Sequence, residues 1–445
     1  MTVAPMKGRS TSILTAAPDM KRRNRAEARF RSYGVIAIAV SLSVLAFMLI
    51  TIFSDGISSF RQAKLAFPVT LDAGVLDPKG NGNRDEMSKV TTVGYGKVLA
   101  KSFLAALDAK GIDTTGLKDK EVGELISKEA AGDLRARVLA DPTLLGQTLD
   151  LDVLANGRID GYLKGRVTMD SAKLDSNVSP EQLQLADRLG EAGILDLHWN
   201  VAFFTKPDAS DQRPEAAGLG VAILGSLYMM ILVAVMCVPV GVAASIYLEE
   251  FAPKNRWTDL IEVNVSNLAA VPSIVYGILG LAVFINFAGL PQSSSLVGAL
   301  VISLRTLPTV IIATRASIRA VPPSIRDAAL GVGASKMQTV LHHVLPLAMP
   351  GILTGTILGL AVALGDTAPL LLIGMVAFVD NYPSLPVDGF LDPATALPVQ
   401  VYSWATRSDP AFIERSNGAI IVLLAVLITM NLAAVLLRRK FERRW

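Results

Sequence analysis

A single cysteine, Cys237, stands in 445 residues, so no disulfide can close within the chain. It lies inside the apolar run from Val233 to Val240 and reads as a small hydrophobe. The three histidines, His198, His342 and His343, lack the companion His, Cys or carboxylate spacing of a metal site. No G-x-x-x-x-G-K-[ST] phosphate loop occurs, and no triad or carboxylate pair suggests a catalytic residue or a cofactor. Charged residues make up only 18% and the formal net charge is +3, too little to hold nucleic acid.

What the sequence has in abundance is apolar length. Hydrophobic residues make up 51% and the mean hydropathy is +0.45. They gather in runs of roughly 20 or more, the length that crosses about 30 Å of hydrocarbon. The expected fold is an all-α polytopic membrane protein of six spans, over Gly34–Phe53, Gly220–Tyr247, Leu260–Phe287, Leu296–Arg315, Gly351–Val376 and Ala419–Leu437. Ahead of the first span, residues 1–33 carry Lys21, Arg22, Arg23, Arg25, Arg29 and Arg31, and Arg438, Arg439, Lys440, Arg443 and Arg444 in 438–445 follow the last. Both clusters predict cytoplasmic termini. The apolar core at 34–54 continues past the length of a cleavable signal and is expected to be retained.

Residues 56–215 have no run long enough to span, so they predict a soluble insert of mixed α/β fold between the first two spans. It is large enough to bury a core of its own. Val93–Leu107 and Pro180–Leu195 are amphipathic, and Asp77–Asn83 and Ala155–Gly157 carry turn signals. The permease-like part follows over 220–437.

Between the fourth and fifth spans, 322–346 is polar enough to leave the bilayer. Pro322 and Pro323 predict a helix start, Gly333 a break, and Pro346 the end of a second helix. Asp327, Ala328, Ala329, Gly333, Leu345 and Pro346 resemble the EAA loop of ABC importer permeases, with Asp327 for the usual Glu and His343 where an aliphatic residue is common. The resemblance implies the six-helix fold of those permeases and a loop that docks into the ATP-hydrolysing subunit. Hydrolysis would then belong to that partner and not to this chain.

The resemblance narrows over 220–437. Tyr247-Leu248-Glu249-Glu250-Phe251-Ala252-Pro253, Val271-Pro272-Ser273-Ile274-Val275-Tyr276-Gly277 and Gly365-Asp366-Thr367-Ala368-Pro369-Leu370 are similar to PstA-type phosphate importer permeases, some of which also carry an extracytoplasmic insert. It implies a multi-pass protein in the lipid of the bacterial inner membrane. Its partners would be a second permease of the PstC type, two PstB-type ATPases and a PstS-type periplasmic binding protein that delivers phosphate. The alternatives are a permease for molybdate or sulfate, or a membrane receptor whose external domain senses a ligand.

Charges inside spans are costly and are usually paired or functional. Arg305 and Asp366 fall near the centres of the fourth and fifth spans, and an arginine suits an oxyanion. With Thr367 and Pro369 they are the candidates for the translocation path, either lining it or forming an ion pair that fixes packing. Val362 stands where such permeases can carry an arginine. Arg315 reads as a snorkelling residue, and Glu249 and Glu250 as a solvated loop. Pro308, Pro350 and Pro369 are expected kinks, and Gly355, Gly359 and Gly365 expected sites of close helix approach.

Overall fold

A computed structural model describes residues 18–375 and 378–441. The expected ends of the tails, including Arg443 and Arg444, and of the fifth span at Val376 lie outside the described residues. Two compact units divide the chain, Met1–Ser54 and Asp55–Trp445. A helix beginning at Pro18 in the first runs through the arginine-rich segment and the apolar run alike and ends at Gly56, two residues past that unit. The basic segment from residue 18 onward is thus helical rather than a loose tail. Arg and Ala are strong helix formers, and Pro18 takes the first position, where its missing N–H costs nothing.

Among the described residues, five helices are long and apolar enough to cross a membrane: Arg22–Phe60, Gly220–Phe251, Ser295–Arg319, Lys336–Leu364 and Pro410–Ala433. A sixth exists if Arg256–Ala269 and Ser273–Phe287, bent by 100° at their junction, count together. Leu260–Phe287 is therefore not the straight span its hydropathy suggests. Pro272 removes a donor and disfavours helix in Val271 before it, so the chain turns and restarts at Ser273. The fifth span is broken too: its helix ends at Leu364, and a short one, Ala368–Leu372, begins after Gly365, Asp366 and Thr367.

The insert is built on three antiparallel strands in the order β2-β1-β3, with β1 at Arg61–Thr70, β2 at Thr148–Leu154 and β3 at Leu195–Trp199. Along β1, Ala63, Leu65, Phe67 and Val69 alternate into the core, where Phe67 meets Phe103 of the Thr92–Ala109 helix at 4.9 Å between ring centres. Pro68 is tolerated because β3 flanks β1 only from Arg61 to Leu65. The amphipathic stretch at 180–195 forms the Pro180–Glu191 helix, opened by a Ser179–Gln182 capping box. Asn156, expected in a turn, instead caps the Gly157–Leu163 helix through the Arg158 N–H.

Insert and permease-like part share one compact unit. A cluster around Phe203, Leu219, Leu397, Trp404 and Phe412 seals their junction, and buried charges cross it. Lys164 Nζ lies 2.8 Å from Asp160 Oδ2 and 3.1 Å from Glu414 Oε1, with all three side chains at most 4% exposed. Arg166 also bridges Asp160 and Glu414, while Arg415 donates to the carbonyls of Ala217 and Glu215, each at 2.7 Å.

Candidate functional site

Four of the residues expected along a path fall around the two broken spans. The helix Ser295–Arg319 carries Arg305 at mid-length, and the break after Leu364 places Asp366 beside it. Arg305 Nη1 donates to Asp366 Oδ2 at 2.6 Å, with the side chains 32% and 10% exposed. This is the only ion pair of either residue among the described residues, and it engages one end of the guanidinium fork. Thr367 immediately precedes the next helix, and Pro369, in its first turn, is buried.

Two distant sequence strings meet at Pro369. A Cβ placed on Gly277 would stand 2.8 Å from Pro369 Cα, so only glycine lets the 271–277 string lie against the 365–370 string. Tyr276 is buried next to Gly277, and its hydroxyl donates to the Leu268 carbonyl at 2.6 Å. That bond spans the bend at Pro272 and adds a second donor to a carbonyl near the end of the Arg256–Ala269 helix, which also accepts from the Val271 N–H at 3.1 Å. Both strings therefore serve as the breaks of two spans, side by side.

Close packing behind the pair is set by small residues. Gly351, Gly355 and Gly359, spaced by four, face Ser317, Ala313 and the Thr306–Thr309 pair of the Ser295–Arg319 helix. The expected close approach holds at Gly355 and Gly359. Gly365 instead ends the helix, and an added Cβ there would meet only its own carbonyls, at 3.9–4.0 Å. Pro308 and Pro350 lie inside their helices.

At the other end of the same helix sits the loop. A helix over Pro323–Gly331 starts at the expected prolines, and Gly333 takes φ +90°, a conformation that side chains disfavour, before Ser335 caps the next helix with Gln338. This second helix does not stop near Pro346. It passes through a π-helical stretch, Val340–Val344, into Leu345–Leu364. The wider turn accommodates a residue with no N–H to give to the preceding turn. Ala329 is buried, whereas Asp327, Ala328, Gly333 and Pro346 are exposed, and Leu345 is half-buried against the cluster of Ile318, Val321, Val344, Ala348 and Ile352. Asp327 has no ion pair among the described residues. Leu330, Val332, Met337 and Leu341 of the same loop region are exposed apolar side chains.

The loop is tied to the spans by charges that the sequence left unassigned. Arg326 pairs with Glu250 at 2.7 Å and donates to the carbonyls of Val321 and Ile318 at 2.7 and 3.0 Å. Glu249 receives Arg319 at 2.7 Å and Arg315 at 3.3 Å, and Arg315 also reaches Glu262 at 2.9 Å. Glu249 and Glu250 are therefore not a solvated loop, and Arg315, 8% exposed, does not snorkel. The sequence signal was the spacing of Arg315 and Arg319, one turn apart on one helix face, with an acidic pair left over.

Residues 238–445 match the family described as binding-protein-dependent transport system inner membrane component, and residues 17–173 match a domain of unknown function. Over 229 residues the chain is 34% identical to phosphate transport system permease protein PstA 1 of Mycobacterium tuberculosis (strain CDC 1551 / Oshkosh), covering 52% of this chain and 73% of that one. It is 33% identical over 231 residues to phosphate transport system permease protein PstA of Mycobacterium leprae, covering 52% and 73%. It is 32% identical over 230 residues to the probable ABC transporter permease protein YqgI of Bacillus subtilis, covering 49% and 78%.

Proposed function

The chain belongs to the family of PstA-type ABC transporter permeases, and on that premise we propose that it is the permease subunit of an ATP-driven importer carrying inorganic phosphate into the cytoplasm. The observation that carries the reading is Arg305 at the meeting of two broken spans, held by a single contact to Asp366. Phosphate presents several acceptor oxygens, and the Nε and Nη2 donors not used by Asp366 suit them. Breaks in both neighbouring spans leave polar backbone at this depth, which membranes tolerate where it is buried in protein or lines a cavity.

In this reading the substrate competes with Asp366 for Arg305. Entry of an oxyanion transfers the guanidinium from carboxylate to phosphate, and the carboxylate recaptures it on release, so the charge is never left bare. Thr367 and Pro369 keep the break open beside it. Around it, Gly277 packs on Pro369 and Gly355 on Ala313.

The 322–346 loop is the coupling element. Asp327, Ala328 and Gly333, with the apolar side chains around them, face the partner ATPase, which performs all hydrolysis. Leu345 and Pro346 connect the loop to the fifth span. Arg326 transmits the motion, because it grips both Glu250 and the carbonyl end of the Ser295–Arg319 helix. Fourteen residues, about 21 Å of helix, separate Arg319 from Arg305, so a push on the loop moves the substrate site as part of one rigid rod. The partners in this scheme are a PstC-type permease, two PstB-type ATPases and a PstS-type binding protein, in a bacterial inner membrane, with both termini and the loop in the cytoplasm and the insert outside.

The test is ATP-dependent uptake of labelled phosphate by vesicles holding the reconstituted complex, with sulfate and molybdate as competitors. Phosphate uptake that neither competitor reduces is the expected result. Uptake of another oxyanion in place of phosphate would keep the importer and overturn the substrate.

A further inference from the structure

At the base of the insert a set of apolar side chains faces outward. The 3₁₀ turn Ile57–Phe60 follows the Pro18–Gly56 helix directly, and residues three apart in such a turn eclipse one another, so Ile57 and Phe60 share a face. Phe60 stacks on Trp199 at the end of β3, with ring centres 6.1 Å apart and planes 17° from parallel, and on Phe204 at 5.7 Å. Trp199, Ile57 and Val201 are nonetheless 65%, 61% and 58% exposed.

Their outward aim is fixed by buried bonds. Asn200, between Trp199 and Val201, is buried. Its N–H donates to the Phe60 carbonyl at 2.8 Å, its side-chain amide donates to the Ser59 carbonyl at 3.1 Å, and its Oδ1 accepts from the Phe203 N–H at 3.0 Å. Trp199 and Val201 cannot turn inward without breaking these bonds. Phe203, edge-on to Phe60 at 5.6 Å, belongs to the junction cluster with Trp404 and gives the face a rigid backing.

Two span ends set the level of this face. The first apolar run stops at Phe53 and the last begins at Ala419. A Cβ on Gly56 would lie 2.7 Å from the Asn417 carbonyl carbon, and one on Gly418 2.7 Å from Ser59 Cβ. Gly56 and Asn417 thus mark one level, the end of one apolar run and the start of another, where the hydrocarbon stops on the insert's side. Ile57 stands four residues, about 6 Å of helix, beyond Phe53, and the headgroup layer is roughly 5 to 8 Å deep. Tryptophan gathers in that layer because its indole joins an apolar body to one N–H donor. Arg61, exposed, lies directly across the strand pair from Trp199, and a guanidinium at that level suits lipid phosphates.

We propose that Ile57, Phe60, Trp199 and Val201 form a membrane foot that seats the insert in the headgroup layer of the leaflet on its own side, with lipid as the occupant of this face. The insert is then held by lipid beneath it and by the last long helix beside it, as a fixed platform. This needs only that the apolar runs cross the bilayer and is independent of what the chain transports.

Nitroxide labels test it on the full-length chain in vesicles of phosphatidylethanolamine and phosphatidylglycerol. Cys237 is the single cysteine, so in a Cys237→Ala background Ile57→Cys and Val201→Cys each take one label. Phe47→Cys in the first apolar run and Leu174→Cys on the insert, both well exposed, serve as the lipid and water references. Collision with oxygen, which gathers in lipid, and with a water-soluble nickel chelate should place both labels between the two references. Both native side chains are more than half exposed, so the fold survives either substitution. Nickel access equal to that at Leu174 would put the foot in water, and oxygen access equal to that at Phe47 would put it in the hydrocarbon. Loss of access to both would show a protein, a second copy or another subunit, covering the face. Any of the three overturns the proposal.

Discussion

Arg305 and Asp366, sixty-one positions apart, meet at 2.6 Å at the break of the fifth span. Asp366→Asn leaves the guanidinium of Arg305 without a counter-charge. Losing one partner of a fully buried pair costs about 3–5 kcal/mol, and the exposure of Arg305 lowers the expected cost to about 2 kcal/mol. Thermal unfolding of the purified chain should show that loss, and Asp366→Glu should restore most of it. An Asn variant as stable as the parent would mean that water or lipid headgroups already neutralise Arg305.

Asp327→Arg places a cation on the exposed face of the loop without touching its internal bonds. The complex should still assemble and accept its binding protein, but substrate should no longer be carried at the parent rate per ATP hydrolysed. Arg326→Met cuts the tie to Glu250 and to the end of the Ser295–Arg319 helix and should uncouple in the same way. Measuring hydrolysis and uptake together decides both cases. Undiminished uptake in Asp327→Arg removes the coupling role from this loop.

Gly355→Leu drives a side chain into Ala313 of the neighbouring helix. Overpacking of this kind costs about 1–3 kcal/mol or more, and the melting temperature in detergent should fall. Gly365→Ala meets nothing closer than 3.9 Å and should leave stability within about 0.5 kcal/mol of the parent. Equal effects at the two positions would mean that the stripe does not set the packing of these helices.

The helices and the loop were legible in the sequence because length and hydropathy report them directly, and because Pro323 and Gly333 have local geometric consequences. The breaks were not. Averaged over a span, one proline at 272 or the Gly365-Asp366-Thr367 step hardly changes apolar content, yet each interrupts the ladder of helical hydrogen bonds and turns the chain. The pairings of Glu249 and Glu250 were invisible for another reason: their arginines lie 66 to 76 positions away, and only the packing of three helices brings them together. The strand order of the insert was hidden likewise, since β1 pairs with segments far along the chain.

Lys164 sits between Asp160 and Glu414 with its side chain 2% exposed. Lys164→Met leaves two buried carboxylates facing each other with Arg166 bridging them and Arg415 nearby to compensate, a cost of about 3 kcal/mol. Because Glu414 begins the last span while Asp160 belongs to the insert, the loss should appear first as protease cleavage between insert and bundle. A variant cleaved no faster than the parent would show that the apolar junction around Phe203 and Trp404 suffices.

Glu215 gives a pH dependence of definite sign. Burial pushes its folded carboxyl above the usual carboxylate range, so the folded state favours the protonated form. The stability tied to that proton is present below the unfolded pKa and is lost as pH rises through the folded one. Glu215→Gln, which keeps the shape without the charge, should raise the melting temperature at pH 7.5 by roughly a few degrees and converge on the parent near pH 4. The same difference at both pH values would contradict a buried, charge-penalised Glu215.

The most direct test of the central claim exchanges the charges, Arg305→Asp with Asp366→Arg, and measures ATP-driven phosphate uptake by the reconstituted complex. The swap keeps an ion pair between the same helix and the same break, so folding, assembly and hydrolysis should persist. It moves the cation from mid-helix to the break, and phosphate uptake should fall more than about tenfold, the loss of about 1.4 kcal/mol or more at the barrier. Parental uptake by the swapped complex would contradict the account and leave Arg305 and Asp366 as a packing device.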